Sequence, residues 1–350
     1  MHSISGYFNR FGARCHRSGK NPIVEGASFR TMRISLLLLL LFMPAKLLSN
    51  TELDRAIQLY QQGEFAVATN VLYSLSRSSP SDSDVRLWLG KSYLKTRQWD
   101  KAVGEMEKAT QLQPSSAKLQ LWLGRACGAR AAHSIFITAF GWAKRVVRAF
   151  ETARKLSPED IDVRFDLLEF YLNAPGAVGG GRDKADAEAK AISKLSPKRG
   201  YAARAAIFQK NKQWDLAKNE FMQAVADYPD DPDLCNDLAD FLLDRKDFEG
   251  ASSYAKRALK LDQESKRAEL TWAAAATRLR VELDESESLL KRLTQGPLGD
   301  EDPCYEEVYY WLGECYLAKG DKAKAQESLQ TALVFNPDYD RARNSISVMR

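Results

Sequence analysis

Hydrophobic and polar positions recur with a 34-residue period over most of the chain after position 50. The segment 85–114, VRLWLGKSYLKTRQWDKAVGEMEKATQLQP, shows the pattern most clearly. Its W-L-G triplet at 88–90 returns at 122–124, and Pro114 follows Pro80 at the same interval. A repeat of this length, with large apolar residues in one half and alanines in the other, predicts one pair of helices per repeat.

Small residues mark where the two helices of a repeat must approach closely. In the segment 85–114 they are Gly90, Ala102 and Ala109. Pro114 ends the second helix, because proline has no N–H and restricts the residue before it. Half of the twelve prolines occupy this closing position, and none interrupts a predicted helix interior: Pro80, Pro114, Pro158, Pro197, Pro229 and Pro337.

The period predicts an array of about eight helix-turn-helix repeats over residues 50–338, followed by a capping helix at 339–350. Repeat three exceeds the period by ten positions, which fall between its two helices. Repeat four exceeds it by five, in the loop 173–182. Repeat seven is degenerate, and a Gly/Pro/Asp linker at 295–303 follows it.

These residues resemble the tetratricopeptide repeat (TPR) family. The resemblance implies an all-α, right-handed superhelical solenoid whose first helices line a concave groove that binds a polypeptide. The run from WLGRACGARA to YLNAPGAVGGGRDKA is similar to exported bacterial TPR proteins with an insertion in the third repeat and a Gly-rich APGxxGGG loop in the fourth. Stacked repeats of this kind form one elongated body.

The phase of the repeats assigns residues to the groove wall that this resemblance implies. Basic residues lie toward the amino end and acidic ones around repeat six, which suits an extended or helical peptide with polarised charge. Alternatively, these charges only solvate the inner wall. Cochaperone TPR domains clamp a terminal carboxylate with a Lys/Asn cluster, but Leu87 and Leu121 occupy the matching lysine position, so that activity is not transferred. The candidate groove residues are Lys91, Lys95, Arg125, Phe165, Glu169, Asn236, Asp240 and Tyr310, with Leu94, Lys118, Asn173, Asp244, Glu314 and Leu317 beside them.

The two inserted turns form a second candidate surface. Both join the first helix of a repeat to its second, so they are expected to lie side by side on one edge, and insertions on one face often mark a binding face. The alternatives are that the aromatic residues pack under a lengthened helix pair and the glycines make a tight turn, that the glycines bind an anion, or that the loops touch a protein or a membrane surface. The candidate residues here are Phe136, Phe140, Trp142, Arg145, Gly180 and Arg182.

The net charge of +5 comes from the amino-terminal segment rather than from the repeats. Residues 1–49 contain seven Lys/Arg and one Glu, a net charge of +6, which leaves −1 for the rest of the chain. A nearly neutral body has no general attraction to a phosphate backbone. No nucleic-acid partner is therefore expected.

The segment 1–49 reads as a targeting region. Residues 1–31 are basic and aperiodic, so they form either a disordered leader or an extension upstream of a start at Met32. Residues 32–49, with Arg33 before a ten-residue apolar core, are typical of a signal peptide, because about 20 residues are needed to span a bilayer. Export to a bacterial periplasm follows. An uncleaved anchor or an organelle transit peptide are the alternatives.

Candidate catalytic chemistry is sparse. Among the three histidines only His133 lies in the repeats, and no metal, nucleophile-elbow or phosphate-loop motif occurs. No cofactor or metal is expected, and the five cysteines are expected to be unpaired thiols. The favoured hypothesis is a non-catalytic scaffold that binds a partner polypeptide; the alternatives are an envelope assembly or membrane-surface factor that uses the aromatic insertion and, third, an enzyme.

Overall fold

The computed structural model describes residues 45–349, with side chains from Thr51 onward. Seventeen α-helices and a short 3-10 turn, Gly176–Val178, make up this part of the chain, which contains no strand. The helices are α1 Ala45–Gln61, α2 Phe65–Ser78, α3 Ser83–Lys95, α4 Trp99–Leu112, α5 Ala117–Ala132, α6 Phe136–Leu156, α7 Ile161–Asn173, α8 Arg182–Leu195, α9 Pro197–Lys210, α10 Trp214–Asp227, α11 Pro232–Asp244, α12 Phe248–Leu261, α13 Lys266–Leu279, α14 Leu283–Gln295, α15 Tyr305–Lys319, α16 Lys322–Phe335 and α17 Asp340–Met349.

Sixteen of these helices form eight consecutive pairs, and α17 covers the end of the last pair. The predicted all-α superhelical array and its capping helix are therefore confirmed. The first helices begin at polar caps that follow the closing proline. Asp82, Asp160 and Asp231 each accept hydrogen bonds from two backbone N–H groups of the next turn, which satisfies donors that the helix itself leaves without partners.

The small residues pack where the period places them. A Cβ atom on Gly90 would lie 2.7 Å from Met106, and one on Gly313 would lie 2.7 Å from Leu329, sixteen positions later in each case. Gly124 meets Phe150 in the same way at 2.3 Å, but 26 positions later. The ten additional positions of repeat three therefore lie between two ends that keep the ordinary packing.

The insertion in repeat three does not form a long turn between the two helices. It is absorbed into helix, because α5 and α6 are both longer than α3 and α4, the corresponding helices of repeat two. The lengths are 16 against 13 for the first helices and 21 against 14 for the second ones. Residues 133–135 are all that remains of the turn. The alternative of a lengthened helix pair is the one that the structure shows, because the apolar run FITAF forms an additional helical segment rather than an open loop.

Successive first helices contact one another in most of the array, and successive second helices do so far less. Elements on the inside of a curved stack are closer together than those on the outside. The first helices therefore line the inner wall, as the resemblance implies, and the second helices form the outer wall.

The connection between α14 and α15 differs from the others that follow a second helix. Six such connections, including the one before α17, have four residues, and one has a single residue, Ser196. The connection at 296–304 has nine, and we call it the strap. The predicted linker 295–303 is confirmed to within one residue. The strap leaves the ordinary path of a turn and reaches the first repeat.

The predicted leader 1–31 and most of the predicted signal peptide 32–49 lie outside the described residues. Residues 45–49 are the first turn of α1. No helix among the described residues is both long enough and apolar enough to cross a bilayer. The four described cysteines, at 127, 235, 304 and 315, are buried free thiols.

Candidate binding surface

The first and last repeats touch, so the superhelix closes end to end. The Leu298 N–H in the strap donates a hydrogen bond to the Gln61 carbonyl at 2.6 Å, and the Tyr305 hydroxyl donates to the same carbonyl at 2.8 Å. The Phe65 ring packs edge-on against the rings of Tyr305 and Phe335, with centroids 6.3 and 6.2 Å apart. We call this contact the closure.

A second set of closure contacts lies between the turn of repeat two and the connection that precedes α17. The Arg97 guanidinium forms an ion pair with Asp338 and donates a hydrogen bond to the Asn336 side-chain oxygen at 3.2 Å. His133 lies 3.7 Å from the same Asp338 carboxylate. Two neighbouring repeats at the amino end are therefore joined to the carboxyl end.

The candidate residue Lys91 lies in the centre of the closure. Its ammonium group forms an ion pair with Asp300 of the strap and lies 3.6 Å from the centroid of the Trp88 ring. The rings of Tyr60 and Trp122 are 5.3 and 4.7 Å away. Burial lowers the pKa of Lys91 to about 8, although the Asp300 carboxylate opposes this shift. In this closed form its charge is satisfied within the chain.

The other basic candidates of the amino-terminal half differ in access. Lys95 is half-buried, 5.7 Å from the centroid of the Phe65 ring. Arg125 is buried, and its Nε donates to Asp166 at 2.7 Å. Lys118 is exposed, and both it and Lys95 are close enough to lower the pKa of Lys91 further. Among these four basic residues, Lys118 is therefore the most accessible to a partner.

The middle of the inner wall is half-buried. Phe165 lies under the guanidinium of Arg199, 4.9 Å from its ring centroid, and Glu169 lies one turn further along α7. Asn236 is buried and donates a hydrogen bond from its side-chain nitrogen to the Ser265 hydroxyl at 3.1 Å. Asn236 therefore links its own repeat to the start of the next first helix.

The acidic candidates lie between α11 and α15. Arg267 binds Asp240, whose carboxylate also accepts from the Thr271 hydroxyl at 2.5 Å. Tyr310 is buried, and its hydroxyl accepts from Arg278 at 2.8 Å. Both candidates hold neighbouring repeats together in this structure. Whether they or the other candidates bind a partner stays a prediction.

Glu307 is a residue that the sequence pattern did not single out. It lies half-buried on α15, and burial raises its pKa to about 7. Asp240 and Asp244 on α11 raise the pKa of Glu307 further, and Arg341 on α17 opposes them. Charged groups on α11, α15 and α17 therefore interact with one another in the acidic half of the inner wall. The phase of repeat eight places residue 307 on this wall, but only the folded chain brings α11 near it.

The lengthened hairpin of repeat three carries four of the candidate residues. Phe136 and Phe140 pack edge to face with centroids 5.2 Å apart; Phe136 is exposed and Phe140 is half-buried. The Trp142 ring lies between the guanidinium groups of Arg130 and Arg145, at 5.5 and 4.5 Å. The base of this hairpin is packed, whereas its end is open to solvent.

The glycine-rich turn of repeat four packs against this hairpin, so the two insertions are neighbours as expected. A Cβ on Gly179, which has φ +100°, would lie 3.6 Å from Val147 of α6. Gly180 is buried, and a Cβ there would lie 1.8 Å from the Ala174 carbonyl oxygen. Arg182 is exposed and pairs with Asp186 one turn later. The glycines are required for a tight turn.

The three glycine N–H groups of this turn are already hydrogen-bonded, which contradicts the alternative that they bind an anion. The Gly179, Gly180 and Gly181 N–H groups donate to the carbonyls of Gly176, Pro175 and Tyr171, at 2.9, 3.1 and 2.9 Å. An anion site at a helix start requires free N–H groups. Among the described residues no group of three or more His, Cys, Asp or Glu could hold a metal ion.

Solved structures of other proteins are similar to this chain. Yeast Tom70 aligns over 99% of this chain and 68% of its own, with 15% identity and a TM-score of 0.57. The TPR protein TTC0263 of Thermus thermophilus aligns over 56% of this chain and 99% of its own, with 21% identity and a TM-score of 0.45. YrrB, described as a TPR protein with an unusual peptide-binding site, aligns over 69% and 97%, with 16% identity and a TM-score of 0.35.

No match was found among curated proteins. Two sequence profiles of the tetratricopeptide repeat match the chain, one at residues 306–339 and the other at 53–117, 89–130 and 203–266. The unmatched middle, 131–202, contains the second helix of repeat three and the whole of repeat four, where the chain departs from the 34-residue period. The matched segments 53–117, 203–266 and 306–339 cover helix pairs of the array, and the chain belongs to the tetratricopeptide repeat family.

Proposed function

We propose that this protein is a non-catalytic scaffold whose inner wall binds a partner polypeptide. The observation that carries the proposal is the charge polarity of that wall. Lys91, Lys95 and Lys118 cluster at one end, while Asp240, Asp244 and Glu307 cluster at the other. A polypeptide with opposite charge at its two ends fits such a wall, with half-buried residues such as Phe165 as apolar anchors.

The closure restricts how a partner reaches the wall. An extended chain has to enter along the axis of the ring, or the contact between the strap and the first repeat has to open. Lys118 and Asp244 are exposed in the closed form, so they are the wall residues that a partner meets first.

Affinity capture with crosslinking from the cells that express the protein tests this function. A partner should be recovered with the wild-type chain and lost when Lys118→Glu and Asp244→Lys reverse the two ends of the wall. Lys190→Glu with Lys194→Glu is the control, because both residues are exposed on the second helix α8. A partner that stays with the inner-wall variant contradicts the proposal.

We further propose that residues 32–49 are a cleaved secretory signal and that the mature protein is periplasmic. The support is the single basic residue before a short apolar core in the sequence. Amino-terminal sequencing of the mature protein checks this proposal and locates the cleavage site. An amino terminus upstream of residue 32 in the exported protein would contradict it.

A membrane-surface role is the second candidate function. The exposed apolar end of the hairpin in repeat three favours it.

A further inference from the structure

The hairpin of repeat three ends in an exposed apolar tip, Ile135, Phe136 and Ile137. Their side chains are 71%, 70% and 81% exposed and follow one another directly in sequence. Other large apolar residues that are exposed in the described part of the chain occur singly. Isolated exposed apolar residues are ordinary, whereas a contiguous group is typical of a contact surface.

The tip extends beyond the edge of the array. Relative to α4, the second helix of repeat two, α6 has seven additional residues at its amino end, which at 1.5 Å per residue add about 10 Å. The glycine-rich turn packs against Val147, beyond the additional residues, and so holds the part of α6 from which the extension projects. The tip is therefore convex and held by helix on both sides, which suits insertion into a surface rather than reception of a ligand.

The sequence around the tip is basic without exception. Residues 108–150 contain seven Lys/Arg and no Asp or Glu, in a chain that has 46 acidic residues in total. Four of the seven pair with acids outside this stretch, namely Lys108 with Glu105, Arg125 with Asp166, Arg130 with Asp100 and Arg145 with Glu107. Lys118, Lys144 and Arg148 remain, and all three are exposed. A surface that combines an apolar tip with an excess of positive charge is complementary to anionic lipid.

Two exposed cations lie behind the tip on the same face of α6. Ile137, Gly141, Lys144 and Arg148 follow one another at helical spacing, and all four are exposed. Lys144 and Arg148 are about 10 and 16 Å from Ile137 along the helix axis. An apolar face that enters the headgroup boundary by about 5–10 Å would place Lys144 at the level of the lipid phosphates.

We propose that this tip inserts into the surface of an anionic lipid bilayer. Ile135, Phe136 and Ile137 enter the acyl boundary, and Lys144 and Arg148 contact the phosphates. The proposal deepens the second candidate function and names its lipid. It is independent of polypeptide binding at the inner wall, because the tip lies on the edge of the array and shares no residue with that wall.

Co-sedimentation of the full chain with vesicles tests the proposal. The wild-type chain should sediment with phosphatidylcholine vesicles that contain phosphatidylglycerol. The variant Ile135→Ser/Phe136→Ser/Ile137→Ser should lower the bound fraction at least about tenfold, because three apolar side chains no longer leave water. The control Val334→Ser/Val348→Ser, at two other exposed apolar positions, should bind as the wild type does.

The charge contribution has its own matched pair. Lys144→Glu/Arg148→Glu should reduce binding to the anionic vesicles about tenfold or more, while Lys190→Glu/Lys194→Glu, with the same spacing on α8, should not. Equal loss in both charge variants would indicate unspecific attraction and overturn the proposal. So would a wild-type chain that fails to sediment, or a tip variant that sediments unchanged. A protein partner that depends on the tip, without lipid binding that does, would also overturn it in favour of a protein contact.

Discussion

Two segments of this molecule that exceed the 34-residue period differ in burial. The strap is an enlarged connection near the carboxyl end, and it is buried against the first repeat. The hairpin of repeat three is an enlarged helix pair, and its tip faces solvent. The strap reaches the first repeat at Gln61, whereas the hairpin approaches the carboxyl end at His133, the first residue of its turn, and its tip lies beyond that contact. The position of an insertion in the superhelix, more than its length, decides whether it is buried.

The residue types of the two segments explain this difference in burial only in part. The strap, GPLGDEDPC, has one large apolar residue and three acids, yet Leu298 and Asp300 are both engaged with the first two repeats. The hairpin has the more hydrophobic sequence and remains exposed at its end. Hydrophobicity alone would have assigned the two segments the other way round.

Overpacking the base of the hairpin should have the largest effect. Gly124→Leu places a side chain where Phe150 already lies, with the first new atom only 2.3 Å away. We expect a loss of about 1–3 kcal/mol in the free energy of unfolding, measured by thermal or denaturant melts. Gly141→Leu, in the same hairpin but with nothing within 4 Å of a Cβ, is the control and should melt no lower than the wild type. Equal melts for both variants would show that the hairpin base is wrongly placed.

Removing the strap carboxylate should come next. Asp300→Asn leaves Lys91 buried without its anion. Because the pKa of Lys91 is already lowered to about 8, the amine can lose its proton at neutral pH, which limits the cost to about 1–2 kcal/mol. Hydrogen exchange in the strap and in α1 should become faster.

The matched control for this variant is Asp302→Asn. Asp302 is also in the strap, but it pairs with Lys266 of repeat seven at 2.8 Å, and the pair is partly exposed, so its loss should cost less than about 1 kcal/mol. If Asp300→Asn and Asp302→Asn showed the same hydrogen-exchange rates and the same melting, the closure would not be a stabilising contact.

The closed side of the molecule should also be sensitive to pH. Burial raises the pKa of Glu307 to about 7, above its value in an unfolded chain. The stability of the protonated form is therefore fully present below the unfolded pKa and is lost as pH rises through 7. Glu307→Gln should gain stability over the wild type, on the order of 1 kcal/mol, at pH 8 and none near pH 4. Melts that shift equally at both values would exclude a titrating Glu307.

The smallest effect is expected at the tip. Ile135→Ser/Phe136→Ser/Ile137→Ser changes side chains that are at least 70% exposed, so the free energy of unfolding should stay within about 0.5 kcal/mol of the wild type. A clear loss of stability in denaturant melts would show that the tip packs against the rest of the chain, and it would end the contrast with the strap.

Much of the fold could be predicted from the sequence because its contacts are local. The spacing from Gly90 to Met106 recurs from Gly313 to Leu329, and each pair joins two helices of one repeat. The capping aspartates and closing prolines act within a single turn of chain. The state of the insertion stayed open between a lengthened helix pair and a turn, because the segment departs from the repeat pattern, although its run of apolar and small residues favours helix.

The candidate site could be predicted less well. The phase placed Lys91, Arg125, Asn236 and Tyr310 on the first helices, but it could not show that each would be buried by a partner from another repeat. Asp300 is 209 positions from Lys91, and nothing in the local pattern of either residue indicates the other.

The sequence by itself determined the helix pairs, their number and the wall on which each residue lies, because a 34-residue period specifies packing between neighbours. Only the tertiary structure decided that the two ends meet and that the strap occupies the first repeats. The small rotation from each repeat to the next accumulates over eight repeats, and whether the array closes after one turn depends on that sum rather than on any single repeat.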